Sequence, residues 1–101
     1  MTADAAAPAT VRVRIAGKVQ GVWYRGWTVE TARSLGVGGW VRNRADGTVE
    51  ALLHGPEAAV EKMIEACRVG PPAARVTDVA RFVTEAGGED LAGGFSQRPT
   101  E

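Results

Sequence analysis

Once the sequence leaves its Ala-rich start, apolar and polar positions alternate: Val11, Val13 and Ile15 interleave with Arg12, Arg14 and Ala16. A period of two is what a strand shows when one sheet face is buried and the other meets water. The residues before it, 1–9, read as a flexible leader, which places one folded domain over residues 10–98. After the glycine-punctuated run GKVQGVW the pattern turns helical from about Tyr24 to Leu35, with Thr28, Ala32 and Leu35 on one stripe and Glu30 and Arg33 off it. Gly36 stops that helix, as a residue free to take positive φ should. Two short strands follow at about 39–44 and 48–54, and Asp46-Gly47 between them marks a hairpin. Pro56 opens a second helix, where Ala59, Val60, Met63, Ile64 and Cys67 recur at helical spacing and Glu57, Glu61, Lys62 and Glu65 face outward. Gly70-Pro71-Pro72 ends it, and Val76, Val79, Phe82 and Val83 supply a fourth strand at roughly 75–84. Beyond a stretch at 86–90 expected to be flexible, the pattern allows a short fifth strand near Phe95 to Arg98.

Strand, helix, strand, strand, helix, strand is the split β-α-β order of ferredoxin-like α+β folds (βαββαβ), an antiparallel sheet with two helices on one face. That order serves many unrelated functions, so the site has to decide.

Composition narrows the field. With 45% hydrophobic and 24% charged residues in 101, the chain has the make-up of an ordinary globule. No apolar run reaches the roughly 20 residues of a membrane-spanning helix, and the first ten residues do not read as a signal peptide, so no membrane partner and a cytoplasmic location are expected. Twelve Lys+Arg against twelve Asp+Glu argue against a protein held to nucleic acid by its charge. The halves differ, however: residues 1–54 carry seven cations and four anions, a net +3 that residues 55–101 balance. A bound anion is therefore to be sought in the first half. One Cys and one His allow neither an internal disulfide nor a multi-ligand zinc site, and no metal is expected.

The informative segment is Gly17 to Arg25, between the first strand and the first helix. Two glycines four apart let the chain curl so that successive N–H groups converge on an oxyanion, and the start of the helix adds unpaired N–H groups and its positive dipole end. Arg25 sits where the dipole disfavours a cation by roughly 0.3–1 kcal/mol unless an anion compensates. Such loops also occur in proteins that bind nothing. The segment matches neither a Walker A loop nor a dinucleotide fingerprint. Asn43 closes the second strand; an asparagine there often bonds only turn backbone, but with Arg25 it could face one bound anion. His54 and Cys67 read as structural, the latter a buried, inert thiol. Tyr24, Trp27 and Trp40 read as packing residues, since they lie on no RNA-recognition signature.

Gly17 to Arg25, then Thr28, Ala32, Leu35-Gly36, Gly39-Trp40-Val41-Arg42-Asn43, Asp46-Gly47, Val49-Glu50, Gly55 and Gly70-Pro71 together resemble the acylphosphatase family, over residues 11 to about 85. The resemblance implies a small cytosolic hydrolase of acyl phosphates, needing neither metal nor organic cofactor. It implies that Arg25 binds the phosphate, that the loop Gln20, Gly21, Val22, Trp23 and Tyr24 donates backbone N–H groups, and that Asn43 orients the attacking water. The partners would be a small-molecule acyl phosphate and inorganic phosphate, with a monomer as the simplest state. Trp23-Tyr24 departs from a Phe-rich pair frequent in the family, Gly26 stands where a larger residue is common, and Gln97 falls where an apolar residue would help bury the last strand. The alternative is a non-catalytic phosphate or carboxyl-phosphate binding module of the same fold; having both Arg25 and Asn43 favours catalysis. An RNA-binding module ranks third.

Overall fold

The structure is a computed structural model and describes residues 8–84 and 94–101. The alternation read from the sequence appears in β1 (Pro8–Lys18), where Val11, Val13 and Ile15 are buried and Arg12 and Arg14 are half-exposed on the other face. β1 begins inside the stretch assigned to the leader, because Pro8 and Ala9 pair with Pro56 and Gly55 of β3 (Val49–Pro56). The leader's remainder, residues 1–7, and the stretch 86–90 lie outside the described residues.

Helix α1 spans Tyr24–Leu35, the bounds read from the sequence, with Thr28 and Ala32 buried. It ends at Gly36 with φ 74°, whose N–H donates to the Arg33 carbonyl at 3.2 Å while the Val37 N–H reaches back to Ala32 at 2.9 Å. That pair of bonds satisfies the carbonyls a helix end leaves free. β2 is Gly38–Asn43, and α2, Glu57–Val69, starts one residue later than the sequence suggested. Pro56, at φ −56° and ψ 138°, is extended and still paired to Pro8, so it closes β3 instead of opening the helix. β4 is Arg75–Val83 and β5 is Phe95–Gln97.

The strands lie in the order β4-β1-β3-β2-β5. Ala32 of α1 and Val60, Met63, Ile64 and Cys67 of α2 share one core with Val13, Ile15, Val41 and Leu53, and the helices touch each other, so both cover one sheet face. Four strands pair antiparallel as expected; β5 runs parallel to β2, Gly39 opposite Phe95, and the sheet is mixed. The direction follows from topology. β4 runs antiparallel to β1 and so finishes at the edge where β2 starts, and a chain re-entering beside β2 from that edge must run with it. Phe95, 2% exposed, anchors this three-residue strand. On the face away from the helices, Glu50 is buried and takes hydrogen bonds from Arg42, Arg12 and Arg44 at 2.8, 3.1 and 3.3 Å. Burial raises its pKa, but the surrounding guanidinium groups outweigh that and hold the carboxyl below its ordinary value. None of the described helices is long and apolar enough to cross a membrane.

The topology fixes where a site can form. β1, β2 and β5 run in one direction and end at one edge of the sheet. At that edge β1 and β2 are separated only by β3, so their ends stand about 10 Å apart, two strand spacings.

Candidate active site

The chain leaving β1 is pinned at Val19, 1% exposed, and then runs into an exposed curl. Gly21 takes φ 76° there, a left-handed conformation that costs glycine nothing. Trp23 takes φ 68° immediately before α1 and is the only non-glycine with positive φ among the described residues. The first helical bond runs from the Trp27 N–H to the Trp23 carbonyl at 3.0 Å, so the N–H groups of Tyr24, Arg25 and Gly26 have no acceptor within the helix. No side chain caps this end, and its first turn holds no acidic residue. An uncapped helix start beside a cation is a site for an oxyanion by geometry and by charge.

Gly21, Trp23, Arg25, Gly26 and Asn43 open on one cavity of about 150 Å³, with Gln97 at its side. This is the room of about five water molecules at roughly 30 Å³ each, enough for a phosphate-sized group and a water. Arg25 is half-buried and makes no ion pair or side-chain hydrogen bond with the described residues. The other arginines of the first half are committed: Arg12, Arg14, Arg42 and Arg44 to Glu50 or Asp46, and Arg33 to the Phe95 carbonyl at 3.1 Å. Among the described arginines of the first half, Arg25 alone is left without an ion pair or side-chain hydrogen bond.

Asn43 ends β2, held through its backbone pairing with Val49 and through its carbonyl, which accepts the Glu101 N–H at 3.1 Å. Its side-chain Oδ1 is buried and has no hydrogen-bond partner among the described residues. An amide oxygen left so costs about 1–3 kcal/mol, and it does not bond turn backbone as the plainer reading of the sequence would have it. Asn43 lines the cavity, and this oxygen is an unmatched acceptor in its wall.

Gln20 contributes in a way the sequence did not reveal. Its Nε2 donates to the carbonyls of Arg44 at 2.8 Å and Thr48 at 2.9 Å, tying the curl after β1 to the β2–β3 turn. It thereby sets the separation between the Arg25 and Asn43 segments. Nothing local in the sequence encodes these bonds, because the acceptors are main-chain atoms more than twenty positions away. Gln97 was missed as a wall of the cavity for a similar reason: β5 is too short to show a period, and the residue lies at the sheet edge where no core exists to bury it.

The side chains of Tyr24, Cys67 and His54 serve structure, while Tyr24 also borders the cavity. Tyr24 is 1% exposed, stacks edge-on against Trp27 at 5.2 Å, and its hydroxyl donates to the Cys67 carbonyl at 2.6 Å. Burial pushes its pKa well above the ordinary value, with Cys67 adding to the rise. Cys67 is buried, and burial pushes its thiol up to about 12. His54 shares a 2.7 Å hydrogen bond with Thr10 at the far edge of the sheet. The described residues around the cavity therefore include no His, Asp or Glu that could act as a base.

Residues 11–96 match a family model described as Acylphosphatase. The chain is 69% identical over 91 residues to an acylphosphatase of Rhodospirillum rubrum, which covers 90% of this chain and 97% of that relative. Among solved structures, an acylphosphatase from Coxiella burnetii is similar with a TM-score of 0.83 and 32% identity, covering 90% of this chain and 93% of that one. An acylphosphatase from Bacillus subtilis gives a TM-score of 0.79 and 37% identity, covering 88% and 97% respectively.

Proposed function

The chain belongs to the acylphosphatase family and is an acylphosphatase, a hydrolase whose substrates are small-molecule acyl phosphates; from that premise we propose how its own residues divide the chemistry. Arg25 and the unpaired N–H groups at the start of α1, with those of the curl from Gln20 to Tyr24, hold the phosphoryl oxygens. Asn43 Oδ1 accepts a hydrogen bond from one O–H of a water, which keeps that proton and turns its lone pair toward phosphorus. Water oxygen bonds to phosphorus as the bond from phosphorus to the acyl oxygen breaks, and a phosphoryl oxygen takes the water's other proton. The products are a carboxylate and inorganic phosphate. Because the leaving carboxylate has a pKa of about 4–5, it departs without a proton donor. What the transition state needs is stabilisation of charge on the equatorial oxygens and an in-line nucleophile, which a guanidinium, main-chain amides and a carboxamide supply.

The observation that carries this reading is that Arg25, without an ion pair among the described residues, and Asn43, whose buried Oδ1 has no partner among them, line the same small cavity. Asn43→Ala tests it: turnover should fall by about 10²–10³, the size of losing one transition-state contact, while inhibition by inorganic phosphate stays within about threefold. Turnover at the wild-type rate would remove Asn43 from the chemistry. With no base among the described residues of the cavity, kcat should be flat between about pH 5 and 8, and a profile following a pKa near 6.5 would point to a histidine instead. We further propose a cytoplasmic monomer that uses neither metal nor organic cofactor and has no nucleic-acid partner; the balanced charge of the chain supports the last point. Activity that disappears on chelation, or a dimer by light scattering, would revise it.

A further inference from the structure

The cavity is small and open at one side, so an acyl group attached to a phosphoryl group held beside Arg25 extends toward its mouth. Trp23 stands there. It is 58% exposed, so it is not a core residue, and it holds a left-handed backbone that bulky side chains rarely adopt. Its indole lies across Gly26: a Cβ on that residue would stand 2.1 Å from the indole Nε1 and 2.7 Å from Cδ1. Glycine in a first helical turn and tryptophan at positive φ are each locally unfavourable, and they share one result. A flat, wettable ring is fixed beside Arg25 at the exit from the phosphoryl cavity.

We propose that Trp23, seated on Gly26, is the acyl-binding surface of this enzyme and selects acyl phosphates whose acyl group is flat and aromatic over short aliphatic ones. The proposal rests on the phosphoryl-site reading above. An aryl ring conjugated to the reacting carbonyl extends in the plane of the acyl group and stacks on the indole, whereas an acetyl group is too short to reach it. Aromatic contacts of this kind correspond to a preference of roughly three- to tenfold.

The test compares kcat/KM for benzoyl phosphate and acetyl phosphate in the wild type, Trp23→Gly, Trp23→Phe and Gly26→Ala. Glycine keeps the left-handed backbone and removes the ring, and should cut the benzoyl preference to about one through a rise in KM for benzoyl phosphate. Phenylalanine should retain most of the preference. Gly26→Ala leaves tryptophan in place but displaces its ring, and should lower the preference as Trp23→Gly does. Equal losses on both substrates in Trp23→Gly, or a preference that survives it, would overturn the proposal. Competition by inorganic phosphate, measured in the same series, isolates the premise: a wild type that inorganic phosphate does not inhibit would refute the phosphoryl site itself, whereas normal inhibition with an unchanged substrate ratio refutes only the acyl surface.

Discussion

The two edges of the sheet both carry a cavity, and the larger one is at the wrong end. Where β2 and β5 begin and β3 ends, a hollow of about 390 Å³ opens beside Arg33, Gly38, His54 and Gly94. The hollow at the opposite edge, beside Arg25 and Asn43, has about 150 Å³. In the large one the polar groups are already committed: the His54 ring to Thr10, Arg33 to a main-chain carbonyl, and the end of α1 closed by the bonds of Gly36 and Val37. In the small one a guanidinium, a carboxamide oxygen and a helix start all lack partners among the described residues. Reactive chemistry follows unmatched polarity, not volume.

The contrast can be broken most sharply at Arg25. Arg25→Ala should lower kcat/KM by about 10³–10⁵, the range for an arginine that neutralises phosphoryl charge, and should abolish competition by inorganic phosphate. Full activity in that variant would erase the distinction between the edges. Gln20→Leu should come next, with a loss of about tenfold to a hundredfold, because misplacing reacting groups by about 1 Å costs up to about 10². Its turnover should fall more than its phosphate inhibition, since it holds the hairpin that bears Asn43. The far edge should behave in the opposite sense. His54→Ala should leave kcat/KM within twofold yet cost about 1 kcal/mol of stability, a fall in Tm of roughly 4–8 °C for a domain of this size. Smallest is the effect of Asn43→Ala on stability: it removes a buried acceptor that has no partner, so Tm should stay level or rise, a combination of lost activity and kept stability typical of residues retained for function.

Much of this arrangement was legible in the sequence, for reasons that can be named. The bounds of α1 followed from a 3.6-residue stripe closed by Gly36, and β1 from strict alternation at Val11, Val13 and Ile15. That Arg25 and Asn43 could meet followed from the order of elements, because it makes β1 and β2 end at one edge. What escaped lies in long-range or short-segment terms. The direction of β5 and the position of Gln97 belong to three residues without a period. Glu50, on the polar side of β3, is 4% exposed and binds three arginines, a long-range cluster that local pattern does not encode and that leaves Arg25 as the one arginine of the first half without a side-chain partner among the described residues. Gly26, where the family commonly has a larger residue, makes room for the Trp23 indole, a contact no local pattern encodes.

The bridge that Gln20 makes between the segment after β1 and the β2–β3 turn has a kinetic corollary. On the proposed division of roles, turnover requires parts of the chain more than twenty positions apart, with the whole of α1 between them, so neither part alone is competent. During refolding, catalytic recovery should lag behind the return of helical signal and coincide with the docking of the hairpin onto β1, which makes the enzyme's own rate a clock for its slowest long-range pairing.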